Sequence, residues 1–182
     1  MPAAPECPLL CHSASRCPAT LRVTAGACLT ADGTLCLSYD VRGETDGIRI
    51  PAPLPSGAAD GLWQHTCCEA FVAAVDSPEY REFNLSPSGQ WAAYRFRAYR
   101  NRDSGFVPPA APQLDCRGDA AGFRLTARIT HELLPAATAV NIGLSAVIEA
   151  ADGGKSYWAL AHATAQPDFH LRQSFTLTLE RP

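Results

Sequence analysis

The sequence predicts an all-β protein: an antiparallel β-sandwich of jelly-roll or immunoglobulin-like type, with about ten strands and almost no helix. Three observations carry this expectation. Apolar and polar residues alternate with period two in segment after segment, turn signals fall between those segments, and helical spacing appears in a single turn only. Taken in order, Leu35, Leu37, Tyr39 and Val41 alternate with Cys36, Ser38 and Asp40. Phe123, Leu125, Ala127 and Ile129 alternate with Arg124, Thr126 and Arg128. Val140, Ile142, Leu144, Ala146 and Ile148 form the longest run, and Leu171, Phe175, Leu177 and Leu179 the last. Each run buries one face of a strand. Asp32-Gly33, Ser88-Gly89 and Asp152-Gly153-Gly154 supply turns. The one helical turn is His131-Glu132-Leu133-Leu134, stopped by Pro135. Residues 43–61 and 101–112, rich in Pro and Gly, read as long loops. Residues 1–18 read as a flexible leader, and 19–182 as a single domain.

Composition narrows the function. The chain has 182 residues, 47% of them hydrophobic, enough for one sizeable core. Its net charge is −3 and it has no basic block, which argues against nucleic acid as a partner. The strongest apolar run, residues 71–75, is too short to cross a bilayer. The amino end lacks a basic start, and Pro2, Pro5, Pro8 and Pro18 interrupt it, so no export signal is read and a cytoplasmic location is expected. The eight cysteines include no C-x-x-C pair. In the cytoplasm they are expected to stay reduced and to hold no metal, the Cys7, Cys11, His12 and Cys17 cluster being part of a frayed terminus. Cys67 and Cys68 are strand neighbours whose side chains face opposite ways.

The polar residues of interest lie between residues 62 and 99. A tight hairpin about Ser88-Gly89 sets Ser86 opposite Trp91, Asn84 opposite Ala93 and Glu82 opposite Arg95. Leu85 with Ala92 and Phe83 with Tyr94 then face the core. Tyr80, Glu82, Asn84, Ser86, Trp91 and Arg95 share the other face. The preceding strand, 63–75, is apolar at Cys68, Ala70, Val72 and Ala74 on one side. On the other it carries His65, Cys67, Glu69, Phe71 and Ala73, so both faces are expected to be covered. His65 and Glu69 are either buried groups satisfied by neighbours or the polar contacts of a partly enclosed pocket. Near the carboxyl end, Trp158 and His162 share a strand face, and Asp168-Phe169-His170 follows a loop.

Two stretches resemble a known family: Leu62-Trp63-Gln64-His65-Thr66-Cys67-Cys68-Glu69-Ala70-Phe71, and Tyr80-Arg81-Glu82-Phe83-Asn84-Leu85-Ser86-Pro87-Ser88-Gly89-Gln90-Trp91. They look like the bacterial DOMON-like domains, which are similar to family 9 carbohydrate-binding modules. Tyr157-Trp158-Ala159-Leu160-Ala161-His162 and Pro167-Asp168-Phe169-His170 match the same group. The resemblance spans most of the chain beyond the leader. It implies a β-sandwich that binds a small ligand, sugar or haem, without catalysis. One departure is that the family-9 sugar binders carry an acidic residue near the position of His65-Thr66, so that sugar contact does not carry over intact.

Three functions follow as expectations. The preferred one is a non-catalytic module for a carbohydrate or sugar-like ligand, held by His65, Glu69, Asn84, Trp91, Arg95, Trp63, Trp158 and His162. Sugars present apolar C–H faces and hydroxyl rims, and these residues supply aromatic platforms and planar polar groups. The alternative is haem or electron transfer. The sole methionine is Met1, so the iron would need two of His65, His162 and His170. The third is a hydrolase using Ser86, His162 and Asp168, although no G-x-S-x-G elbow, H-E-x-x-H or phosphate loop is present.

Overall fold

The computed structural model describes residues 5–181 and contains fourteen strands among them. The first seven are β1 (Glu6–Pro8), β2 (Leu10–Cys11), β3 (Arg22–Leu29), β4 (Leu35–Arg42), β5 (Gly57–Ala58), β6 (Cys67–Ala74) and β7 (Tyr80–Leu85). The rest are β8 (Gln90–Ala98), β9 (Asn101–Arg102), β10 (Gln113–Asp119), β11 (Gly122–Ile129), β12 (Ala139–Glu149), β13 (Lys155–Ala159) and β14 (Leu177–Glu180). Ten of these are four residues or longer, in line with the number expected from alternation. Helical structure among the described residues is confined to three short 3₁₀ turns, Leu62–Gln64, His131–Leu133 and Arg172–Ser174.

Two sheets pack face to face. One has the order β1-β3-β4-β11-β10; the longer one runs β2-β13-β12-β6-β7-β8-β5, with β14 on β12 and β9 on β8. All pairings are antiparallel except the short β5–β8 contact. The alternating residues meet between the sheets: Leu35, Leu37, Tyr39 and Val41 from β4, Phe123, Leu125, Ala127 and Ile129 from β11, and Val140, Ile142, Leu144, Ala146 and Ile148 from β12. Each fully buried aliphatic or aromatic side chain stabilises the fold by about 1.5–3 kcal/mol. Tyr39 lies at the centre, and its hydroxyl donates to the Glu69 carbonyl of the opposite sheet at 2.7 Å. A buried phenol needs such a partner, and this one fixes the height of β6 at Glu69.

The start of the chain departs from the expected leader. β1 pairs with β3, β2 pairs with β13, and Leu9 between them is buried. The first four residues of the expected leader lie outside the described residues. Cys11 and Cys17 form a disulfide, with Cα atoms 6.2 Å apart, so the expectation that all thiols stay reduced does not hold for this pair. The other six cysteines are thiols. Alkylation of the denatured, unreduced protein should therefore label six cysteines, and eight after reduction, as read by intact mass. Eight labels before reduction would show that the pair is open in solution.

The β7–β8 register is also corrected. The hairpin closes between Ser86 and Gln90, with Ser86 N–H donating to the Gln90 carbonyl at 3.0 Å and Gly89 N–H to the Ser86 carbonyl at 3.0 Å. Gly89 takes φ +93, the left-handed residue that a three-residue loop requires. A loop of three shifts the register by one residue and exchanges faces on β8. Leu85 thus pairs with Trp91, Phe83 with Ala93, Glu82 with Tyr94 and Arg81 with Arg95. Trp91 joins the core between the sheets, while Tyr94 and Phe96 turn to the outer face.

That outer face is covered at the middle of the longer sheet. β13 and β14 lie end to end along one edge of β12, pairing with residues 145–149 and 139–142 respectively. Between them the chain leaves the edge and passes over the sheet before returning. Phe169, His170 and Phe175 from this crossing segment pack on Phe71 of β6. Gly143 makes room: a Cβ there would stand 2.9 Å from the Phe175 ring. β6 is therefore buried on both faces, as its apolar composition predicts.

Candidate functional site

Beside the crossing segment, the outer face of the longer sheet opens into a cleft of about 570 Å³. Its floor is Glu69 and Phe71 of β6, Glu82 of β7, and Tyr94 and Phe96 of β8. Trp63, Val147 and Tyr157 form one wall; Asp168, Phe169 and His170 of the crossing segment form another. Asp60, Arg100 and Arg102 stand at the β8 end. Gly61, at φ +73, starts the 3₁₀ turn that carries Trp63 to the rim, where the indole is 50% exposed. An exposed Trp beside a polar floor offers a flat apolar surface to a ligand.

The floor holds its polar groups in a dry setting. Ser145, Glu69 and Asn84 lie in one row across β12, β6 and β7, and all three are buried. Each keeps a side-chain oxygen without a hydrogen-bond partner. Asn84 uses its amide N–H to donate to Glu82 Oε1 at 3.0 Å. Burial, then the nearby Glu82, pushes the Glu69 carboxyl well above the usual range. Burial raises Glu82 to about 7, against the lowering effects of Asn84, Arg102 and Arg100. Two adjacent acids in a dry floor cannot both ionise cheaply, and burial favours the protonated form of Glu69.

The walls are wired more firmly. Arg100 adopts φ 53, a left-handed backbone that costs a side-chain-bearing residue about 1 kcal/mol. Its N–H donates to the Tyr80 hydroxyl at 3.1 Å, and that hydroxyl donates to His170 Nδ1 at 2.8 Å. On these partners the His170 proton sits on Nε2, which points toward Glu82 Oε2 at 3.8 Å. Burial, with Arg100 adding, pushes His170 down to about 4, so the ring is neutral. Arg100 also binds Asp168 at 2.9 Å. Burial acts to raise Asp168, but the Tyr99 hydroxyl, the His170 N–H and Arg100 together hold it low. Across the cleft, the Arg102 guanidinium lies 3.9 Å over the Tyr94 ring and 3.8 Å from Asp60, which the Tyr94 hydroxyl also contacts.

Of the residues singled out from the sequence, Trp63 and Glu69 line this cleft and Asn84 flanks its floor. The others lie elsewhere. His65 precedes β6 and bonds Glu149 at 2.8 Å with its ring exposed. Trp91 and Trp158 are in the inter-sheet core, Trp158 donating to Ser156 Oγ at 2.9 Å. Arg95 is not opposite Glu82 and pairs instead with Asp103 at 2.9 Å. His162 bonds the Leu10 carbonyl at 2.8 Å and packs its ring on His12. The three histidines considered for iron thus have three separate partners, Glu149, the Leu10 carbonyl and Tyr80. The Ser86, His162 and Asp168 trio does not assemble: Ser86 Oγ accepts from Ser88, and Asp168 is held by Arg100 and Tyr99. Sequence reasoning missed Tyr94 and Phe96 through the register error. Arg100 and Asp60 sit in irregular segments and Arg102 in the two-residue β9, where no periodicity marks them.

The fold is one that sugar-binding proteins use. A "putative carbohydrate-binding protein" from Bacteroides uniformis superposes with a TM-score of 0.73 at 16% identity, covering 98% of this chain and 87% of that one. A family 9 carbohydrate-binding module from Caldicellulosiruptor kristjanssonii in complex with glucose gives a TM-score of 0.54 at 12% identity, covering 96% and 84%. The same organism's family 9 module with cellotriose gives 0.56 at 11%, covering 95% and 81%. No family model matches this sequence, nor does any curated protein.

Proposed function

We propose that this protein is a non-catalytic carbohydrate-binding module of the DOMON-like type, with its ligand in the cleft above Glu69 and Glu82. The observation that carries the reading is the Ser145–Glu69–Asn84 row, three buried side chains each with an oxygen that has no partner, set below an exposed Trp. Unmet buried acceptors are expensive, and hydroxyl groups of a bound sugar would meet them. The Trp63 ring, half exposed at the rim, offers apolar surface for the C–H faces of the same ligand. The family 9 modules that bind glucose and cellotriose share the fold and support the choice of ligand class.

A hydrolytic reading is less well served. Glycoside hydrolysis needs one ionised and one protonated carboxyl on opposite sides of the bond. Here the two acids lie on neighbouring strands of one floor, on the same side of any ligand in the cleft. Titration calorimetry with glucose and cellobiose should show binding that Trp63→Ala weakens by about fivefold or more, a stacked aromatic face being worth roughly 1 kcal/mol or more. Unchanged affinity in that variant, with its melting temperature intact, would move the ligand away from the cleft.

A further inference from the structure

A second cavity, of about 320 Å³, adjoins the cleft and shares Asp60, Tyr94 and Arg102 with it. It lies along the outer edge of β8, between the two short strands that cap that edge. Trp91 accepts a hydrogen bond from Ala59 N–H at 2.9 Å, just past β5. Arg95 accepts one from Asp103 N–H at 2.8 Å, just past β9. Between these two bonds lies Ala93. Its partner across the ladder is Phe83, and the hairpin closure at Ser86 and Gln90 fixes which pairs exchange hydrogen bonds. Counting from that closure, Asn84–Ala92 and Glu82–Tyr94 bond each other, and Phe83–Ala93 do not. The N–H and C=O of Ala93 therefore point away from β7, into the second cavity. No described residue bonds either group, although Ala93 is only 8% exposed.

We propose that this gap is a second sugar subsite, so that the ligand is an oligosaccharide running from the cleft, over Tyr94 and Arg102, to the open edge of β8. The proposal rests on the carbohydrate reading of the cleft. A donor and an acceptor one residue wide, at about 13 Å between the flanking bonds at the usual strand rise, suit the hydroxyls of a sugar ring. An added peptide strand is excluded, because β5 and β9 already occupy the edge on both sides and would block a strand running through. Phe106 and Pro108 give the cavity an apolar side, and Asp103 and Ser104 a polar one.

The test uses glucose, cellobiose and cellotriose with the whole chain. Affinity should rise by about tenfold from glucose to the longer sugars, as expected for two added hydrogen bonds. The Ala93 amide resonance should shift on titration with cellotriose and stay still with glucose. Ala93→Pro removes one outward N–H, which an edge position tolerates, and should cancel the gain while leaving glucose binding unchanged. Should that variant fail to fold, the amide shift in the native protein decides alone. Equal affinities for all three sugars, or a motionless Ala93 amide, would overturn the subsite and leave the cleft standing. If none of the three binds, both the subsite and the glucoside reading of the cleft fall.

Discussion

Phe71→Ala is expected to lower the unfolding free energy by about 3–5 kcal/mol and to abolish ligand binding together. Phe71 is 1% exposed, and its ring meets Tyr80, Phe169, His170 and Phe175 at centroid distances of 6.4, 6.5, 5.1 and 5.7 Å. It is the apolar centre of the contacts by which the crossing segment sits on the sheet, beside the Tyr80–His170 and Arg172–Ala74 hydrogen bonds. Removing it leaves a cavity where the crossing segment packs on the outer face of the longer sheet. The segment then loses its seat, and with it go Asp168, Phe169 and His170, a whole wall of the cleft. For a chain of this size about 2–4 °C is lost per kcal/mol, so the melting point should fall by about 10 °C. Val107, 81% exposed, provides the comparison: Val107→Ala should move neither quantity. A Phe71→Ala protein that melts normally would mean that the segment is held by something other than this cluster.

The second large effect concerns pH. In the unfolded chain Glu82 titrates near 4.5, and in the folded protein near 7. Between those values the folded state keeps a proton that the unfolded state has released, so stability falls as pH rises through the window. His170 acts in the opposite direction. Its pKa drops from 6.5 to about 4 on folding, so the unfolded state binds the extra proton and stability rises with pH between those limits. The two contributions oppose each other up to about pH 6.5. Above that only the acids act, and Glu69, raised by burial and by Glu82, adds to the decline. Denaturant midpoints should therefore fall from pH 5 to 8, less steeply below about pH 6.5, where His170 offsets one of the two acids, than just above it. Glu82→Gln keeps the shape and the Asn84 contact but cannot ionise. Its stability should stay nearly level through the lower window, where Glu69 and His170 oppose each other, and decline less above it, ending higher than the parent at pH 8. A parent whose midpoint does not change between pH 6.5 and 8 would show that the floor is wetter than its burial implies.

The two effects draw on different parts of the chain's information. Alternation depends on side-chain chemistry alone, because a strand with one buried face must place apolar residues two apart. Leu35 to Val41, Phe123 to Ile129 and Val140 to Ile148 were legible for that reason, and so was the double burial of β6 from its apolar residues on both sides. Register is different. One residue more in the Pro87-Ser88-Gly89 loop inverts every side chain that follows, and the local sequence is compatible with either count. That choice sent Trp91 inward and Tyr94 and Phe96 outward, and took Trp91 and Arg95, two of the eight expected site residues, away from the cleft. The rest of the cleft comes from contacts between residues far apart in the chain. Arg100 is held by Asp168, His170 by Tyr80, and Asp60 by Tyr94 and Arg102. The sequence by itself determined the sandwich, its strands and its covered central strand, because those follow from local pattern and hydrophobicity. Only the tertiary structure decided where the cleft lies and which acids share its floor, because that depends on how loops of a given length bring distant segments over one face of a sheet.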